Sequence, residues 1–276
     1  MGPSTAGPSA AALLAERDLL RWAAPTDTRA LSPDLRLRLE ALASGRPSLP
    51  GLALHHATLQ RVRDVARNLT GRLGLKNPAT GSALAQAPVG LLTALAYPDR
   101  LAQRETADRV RLITGQRVSL NTTDVDPQAQ FFAVAHLAGT AAAPRATLAA
   151  PLGQDELELA FADQVITTEE VRYDPAAQRV TGRRVRRLGA LLLAETVIGQ
   201  PDPALVARAL LVYLQETGIS KLNWTAAARQ LQQRLEFLRH HFSASATSLT
   251  TDNEQQPIIT WPTSDDETLG RELAAW

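Results

Sequence analysis

The run "RVTGRRVRRLG" gathers Arg179, Arg183, Arg184, Arg186 and Arg187 into one short segment. A guanidinium is a planar fork of donors that matches paired anionic oxygens, so such a cluster suits phosphate. If the segment is a strand, alternation puts Arg184 and Arg186 on one face and Arg183 and Arg187 on the other. One strand of nucleic acid cannot meet both faces, and Gly182 is the residue that could bulge the strand and re-aim part of the set. The opposing reading is a solvated edge strand whose charges guard it against pairing with another chain. Base stacking would favour binding, but the available rings are Tyr173, Phe131 and Phe132, and the two phenylalanines read as core.

Other chemistry finds little support. No G-x-x-x-x-G-K-[ST] loop occurs, and Lys76 follows Leu75 rather than glycine. Within "QDELELAF", Asp155 and Glu156 read as the acidic first turn of a helix and not as a magnesium box. The pairs His55-His56 and His240-His241 have no third histidine or carboxylate at ligand spacing and read as surface residues. No G-x-S-x-G elbow groups a serine with a base. The expectation is no catalytic residue, no metal site and no cofactor site in this chain. Cysteine is absent, which removes disulfides, thiolate ligands and a cysteine nucleophile. With no apolar run of membrane-spanning length and no basic-then-apolar leader, a cytoplasmic location and no membrane partner are expected.

The 276 residues carry a net charge of +1, so the whole-chain balance makes no case for nucleic acid. Its distribution is uneven: 13 Lys/Arg against 7 Asp/Glu over 1–104, 10 against 12 over 105–200, and 6 against 9 over 201–276. All of the 29 basic residues except Lys76 and Lys221 are arginine, and a compositional bias explains that total better than binding does.

The elements that must hold these side chains change character along the chain. Residues 1–9 have almost nothing to bury and read as disordered. Helices are expected through Leu13, Leu14, Leu19 and Leu20, then from Ser32 as N-cap with Pro33 to Gly45. A third runs from near Thr58 along the stripe Leu59, Val62, Ala66, Leu69 and Leu73, and a fourth from Pro88 to Tyr97. That makes 10–104 all-helical. Pro98 ends the last helix, and Asp99 would cap a polar turn bearing Arg100 and Arg104. Residues 105–200 read as five or so short strands with a brief helix near 155–161, a small barrel of the OB kind. Its last runs, 165–173 and 178–193, flank the "DPAAQ" turn. Helices return over 201–242, where Asp202 caps the first, Gly218 stops it, and a second from Thr225 would bury Ala228, Leu231, Leu235, Leu238 and Phe242. Residues 243–260 read as a linker, and 261–276 as the start of a region cut off at Trp276.

Several strings, in order, carry a family resemblance. "AALLAERDLL", "DLRLRLEAL", "GLLTALAYPDRLAQR", "RLITGQRVSL", "RATLAAPL", "EEVRYD", "RRVRRLGALLL", "LNWTAAARQLQQRLEFLR" and "WPTSDDETL" together resemble the C-terminal half of HrpB-type bacterial ATP-dependent helicases of the DEAH/RHA class. Asn223, before Trp224, stands where proline or an apolar residue is expected, and Gln116 breaks a Gly-Arg pair. The resemblance implies a multi-domain α+β fold: a helical ratchet-like (helicase-associated) domain over 10–104, an OB-like β-barrel over 105–200, and a helical extension over 201–242. It implies an accessory part that binds and does not catalyse, with ATP and Mg held by two motor domains upstream that this chain lacks. The implied partners are those motor domains and single-stranded nucleic acid, RNA ahead of DNA. Candidate contacts are Arg183, Arg184, Arg186 and Arg187, with Arg117 of "RLITGQRVSL" and Arg100 and Arg104 of the junction. The alternative is a freestanding, non-catalytic RNA-binding or protein-interaction module of the same ancestry.

Overall fold

The structure, a computed structural model, describes residues 6–24, 26, 30–75, 84, 87–121, 124–245 and 268–269. It forms two compact units, Met1–Thr167 with Val185–Glu195, and Thr168–Arg184 with Thr196–Trp276.

The first unit begins with α1 (Gly7–Ala15), β1 (Leu20–Trp22), α2 (Leu35–Ser44), β2 (Leu52–Leu54), α3 (His56–Arg72) and α4 (Val89–Ala96). Its leading residues are ordered earlier than their composition predicts. Pro8 sits in the first turn of α1, and Ala6, Pro8 and Ser9 are buried. The helix stops before Leu19 and Leu20, and Leu20 instead opens β1, which pairs antiparallel with β2. The expected all-helical part therefore contains a two-stranded ribbon. Asp34, not Ser32, caps α2 by accepting from the Arg36 amide at 2.8 Å. His55, read as a surface residue, caps α3 through Nδ1, which accepts from the Thr58 amide at 3.2 Å. Leu13, Leu35, Leu39, Leu59 and Val62 make the core among these helices.

Pro98 ends α4 as expected, since it has no N–H to continue the ladder. A single 3-10 turn, Pro98–Arg100, follows, and Asp99 pairs with Arg100 at 3.7 Å instead of capping it. The chain then enters a closed barrel of β3 (Leu101–Arg104), β4 (Arg109–Leu112), β5 (Arg117–Ser119), β6 (Phe131–Thr140) and β7 (Ala143–Leu152), ordered β3-β4-β5-β7-β6. Only the β5–β7 pair is parallel among the barrel's pairings. Alternation sends Ala102, Val110, Leu112, Val118, Phe132 and Val134 inward. On the outside of β3, β6 and β7, Leu101, Phe131 and Leu152 pack with Ala94 of α4, Leu157 of α5 (Gln154–Ala160), Leu188 and Leu191. Glu156 helps start α5 by accepting from the Gly153 amide at 3.2 Å.

The barrel is shorter than the span 105–200 expected for it. It starts at Leu101, closes at Leu152, and leaves β8 (Ile166–Asp174), β9 (Arg179–Leu188) and β10 (Leu191–Ile198) as a separate three-stranded sheet with β9 central. The run read as continuous over 178–193 breaks at Gly189, whose φ is +55° and where a Cβ would lie 2.7 Å from the Ile113 carbonyl oxygen.

In the second unit, α6 (Pro203–Thr217) is capped by Asp202 and stopped at Gly218, and α7 (Ala226–Ser245) follows. Tyr173 meets Tyr213 with ring centroids 4.6 Å apart. The Trp224 indole donates to the Ile219 carbonyl at 2.8 Å, and Arg229 lies 4.5 Å over its ring. Of the stripe expected to be buried on α7, Ala228, Leu235 and Leu238 are half-buried and Leu231 is 60% exposed, and the Phe242 side chain lies outside the described residues. The expected linker partly joins α7, which runs to Ser245. The rest of it, and 261–276 apart from 268–269, lies outside the described residues. Among the described residues no helix is long and apolar enough to cross a membrane, and no group of three or more His, Asp or Glu is placed to hold a metal ion.

Candidate nucleic-acid interface

The outer face of β4, β5 and β7 concentrates arginine. In "RVRL" and "RVS" the apolar Val110, Leu112 and Val118 turn inward, which forces Arg109, Arg111 and Arg117 outward. Register aligns them: Arg111 lies opposite Arg117, Arg109 opposite Ser119, and Ser119 beside Arg145 of β7. Arg109, Arg117 and Arg145 are exposed, and Arg111 is partly so.

Like charges facing each other across a ladder repel, and Glu105 relieves that repulsion. It sits in the β3–β4 turn, where the amides of Glu105 and Thr106 both donate to the Arg109 carbonyl, at 3.0 and 3.1 Å. One carboxylate oxygen accepts from Arg111 Nε at 2.7 Å and also from its Nη2; the other accepts from Arg117 Nε at 2.9 Å. Desolvation favours the neutral acid, but the hydrogen bonds from both arginines outweigh it and hold the Glu105 carboxyl below its ordinary value.

The sequence-predicted residues have varied surroundings. Arg117 belongs to the face just described. Arg104 ends β3 pointing into the barrel, where its guanidinium donates to the Asp126 and Pro127 carbonyls, the latter at 2.8 Å, and lies 5.6 Å from the Phe132 ring centroid. Arg104 Nε is buried without a partner. Arg100 donates to the Ala135 carbonyl at 3.1 Å and lies over the Tyr97 ring at 4.7 Å.

The arginines of β9 are divided between the two units. Arg186, in the first, pairs with Glu158 of α5 at 2.7 Å. Glu158 also accepts from Gln154 at 2.8 Å, and these two bonds, Gln154 first, hold its carboxyl below the ordinary value. Arg187, in the same unit, is partly buried. Arg183 and Arg184 lie in the second unit, both exposed, and Arg184 pairs with Glu169 at 2.8 Å. The edge-strand reading does not hold, because β9 is flanked on both sides. Gly182, the candidate for a bulge, lies against a neighbouring segment. An added Cβ would meet Pro201 at 2.8 Å, so the residue is glycine because another chain segment comes close.

Sequence reasoning missed Arg109, Arg111, Arg145 and the clamp at Glu105. The alternation in "RVRL" could have flagged the first two. Arg145 and Glu105 join them only through strand register and turn closure, which no local pattern encodes.

No family model matches the chain. An ATP-dependent RNA helicase HrpB of Escherichia coli (strain K12) is 28% identical over 214 residues, spanning 76% of this chain and 24% of the relative. The chain is similar to HrpB. The resemblance visible in the ordered strings is borne out by that match, and the sequence is helicase-related. It spans about a quarter of the length of this HrpB relative. Two solved E. coli structures, a DExH-box NTPase HrpB (24% identity, TM-score 0.49) and a DEAH/RHA helicase HrpB (23%, 0.47), align with 99% of this chain and 29% of theirs.

Proposed function

We propose that the chain is a C-terminal accessory part of an HrpB-type ATP-dependent RNA helicase, working in the cytoplasm, and that its barrel is an OB-like module holding single-stranded RNA. In this reading ATP and Mg belong to motor domains outside the chain. The chain itself supplies cations that neutralise phosphates along the exiting strand. The carrying observation is the alignment of Arg109, Arg111, Arg117 and Arg145 on one outer barrel face. Strands at this position of a five-stranded barrel are the ones OB modules use for oligonucleotides. β4, β5 and β7 carry no aromatic residue, so in this reading binding rests on phosphate and carries no sequence preference.

The test is fluorescence anisotropy of a labelled oligouridylate against the full chain at about 50 and about 200 mM salt. Changing Arg109, Arg111, Arg117 and Arg145 together to alanine should lower affinity at least about tenfold and flatten the log–log salt slope by about 0.7 per lost phosphate contact. Unchanged affinity and slope would overturn the assignment. A parallel variant at Arg183, Arg184, Arg186 and Arg187 separates the surfaces. If that set alone flattens the slope, the barrel face is not the interface.

A further inference from the structure

We infer that Glu105 is a built-in competitor for the RNA phosphate, occupying the seat between Arg111 and Arg117 until a phosphodiester displaces it. This rests on the reading of the barrel face as the RNA interface. Its support is the form of the clamp. A phosphodiester offers two non-bridging oxygens, and Glu105 presents its two oxygens in the same way, one to the Nε and Nη2 fork of Arg111 and one to Arg117 Nε. The two guanidiniums come from residues opposite each other in register, so the seat is fixed by the ladder and not by flexible loops.

The carboxylate, by contrast, belongs to a turn. Its backbone is tied to Arg109 through hydrogen bonds that its own and the Thr106 amide donate to the Arg109 carbonyl, so the side chain can swing out without undoing the hairpin. Arg111 and Arg117 keep side-chain exposures of 38% and 64%, which leaves a phosphate room to approach while Glu105 is still bound. Exchange is then anion for anion at two prepositioned cations. Glu105 lowers affinity for RNA, and it spares the empty protein two unneutralised arginines side by side.

Three versions of the full chain tested with the labelled oligouridylate decide this: wild type, Glu105→Gln, and the Arg111→Ala/Arg117→Ala pair. Freeing one cation's worth of charge should tighten binding of Glu105→Gln about fourfold near about 0.15 M salt and steepen the slope by about 0.7. Glu105→Asp keeps the charge but shortens the reach across both guanidiniums, and should move in the same direction by less. If the arginine pair weakens binding while both Glu105 variants bind as wild type or worse, the inference is overturned and the interface stands. If the arginine pair binds like wild type, the interface itself is wrong. Urea midpoints of the Glu105 variants close to wild type show that the fold is intact during the comparison.

Discussion

Gly90 lies in the first turn of α4, and a Cβ added there would sit 2.0 Å from the Pro151 carbonyl oxygen and 2.9 Å from its carbon. Two effects oppose each other when it becomes alanine. Replacing a helical glycine gains at most about 1 kcal/mol from helix propensity and the unfolded chain. Against that, real Cβ atoms essentially never come within 3.0 Å, so α4 and β7 must separate by about 1.0 Å. The obstacle is backbone, which has no rotamer to escape into. That separation also pulls α4 from both cores it joins, through Val89 on one side and Ala94 on the other. A radial gap of about 0.5–1 Å forfeits a quarter to a half of each dispersion contact. With overpacking at about 3 kcal/mol for a backbone clash, the net expectation for Gly90→Ala is a loss of about 2 kcal/mol. The control is Gly71 in α3, where a Cβ meets nothing within 4 Å. Gly71→Ala should stabilise by about 0.5–1 kcal/mol. Urea unfolding followed by far-UV circular dichroism reads both. A Gly90→Ala midpoint at or above wild type would refute the packing of α4 on β7 described above.

Two more expectations concern the barrel's charges. Because Glu105 has a lowered carboxyl pKa in the fold, its contribution is fully present above the unfolded-state value of about 4.3 and is lost as pH falls through the folded value below that. An acid titration of urea midpoints should therefore drop less steeply below about pH 4.3 for Glu105→Gln than for wild type, and parallel curves would contradict the clamp. Arg104→Met should lower stability by about 1–3 kcal/mol through loss of the bonds to the Asp126 and Pro127 carbonyls, yet leave the RNA salt slope at the wild-type value. A flattened slope would mean that this guanidinium reaches phosphate.

How much of this was legible in the sequence depends on how local each cause is. Pro98 ending α4, Asp202 capping α6, Gly218 stopping it and the acidic start of α5 are one-turn events, and all were readable. Leu19 and Leu20 look helical in a window, but Leu20 pairs with Leu54 of β2 and the Leu19 carbonyl accepts from the His55 amide at 2.9 Å, so tertiary contact overrode the pattern. Gly182 signalled a special place, whereas Gly189 sits unmarked inside the run 178–193. Only the structure shows that Pro201 crowds the first and that Ile113 crowds a turn at the second. For the site, the richest arginine run drew attention because it was dense in sequence. The barrel face is assembled from β4, β5 and β7, and its density exists only in the sheet.

The partners of these arginines separate those that can serve a ligand from those that hold the fold. Arg104 gives its terminal donors to the Asp126 and Pro127 carbonyls, and Arg38, with only 3% of its surface exposed, donates to the Asp34 carbonyl and pairs with Asp18 at 2.7 Å. Releasing Arg38 would strand the carbonyl of buried Asp34, at about 1–3 kcal/mol, and releasing Arg104 would break both of its bonds to the Asp126–Pro127 segment. Arg111 and Arg117 instead share a carboxylate on a surface turn. Were Glu105 to leave, water would rehydrate it and an arriving phosphate would replace its charge, so no buried group would be left unsatisfied. An exposed ion pair of this kind is worth at most about 1 kcal/mol, well below what several phosphate contacts return. Arginine abundance therefore says little about binding in this chain. Exchangeability does, and it singles out the register pair that Glu105 bridges.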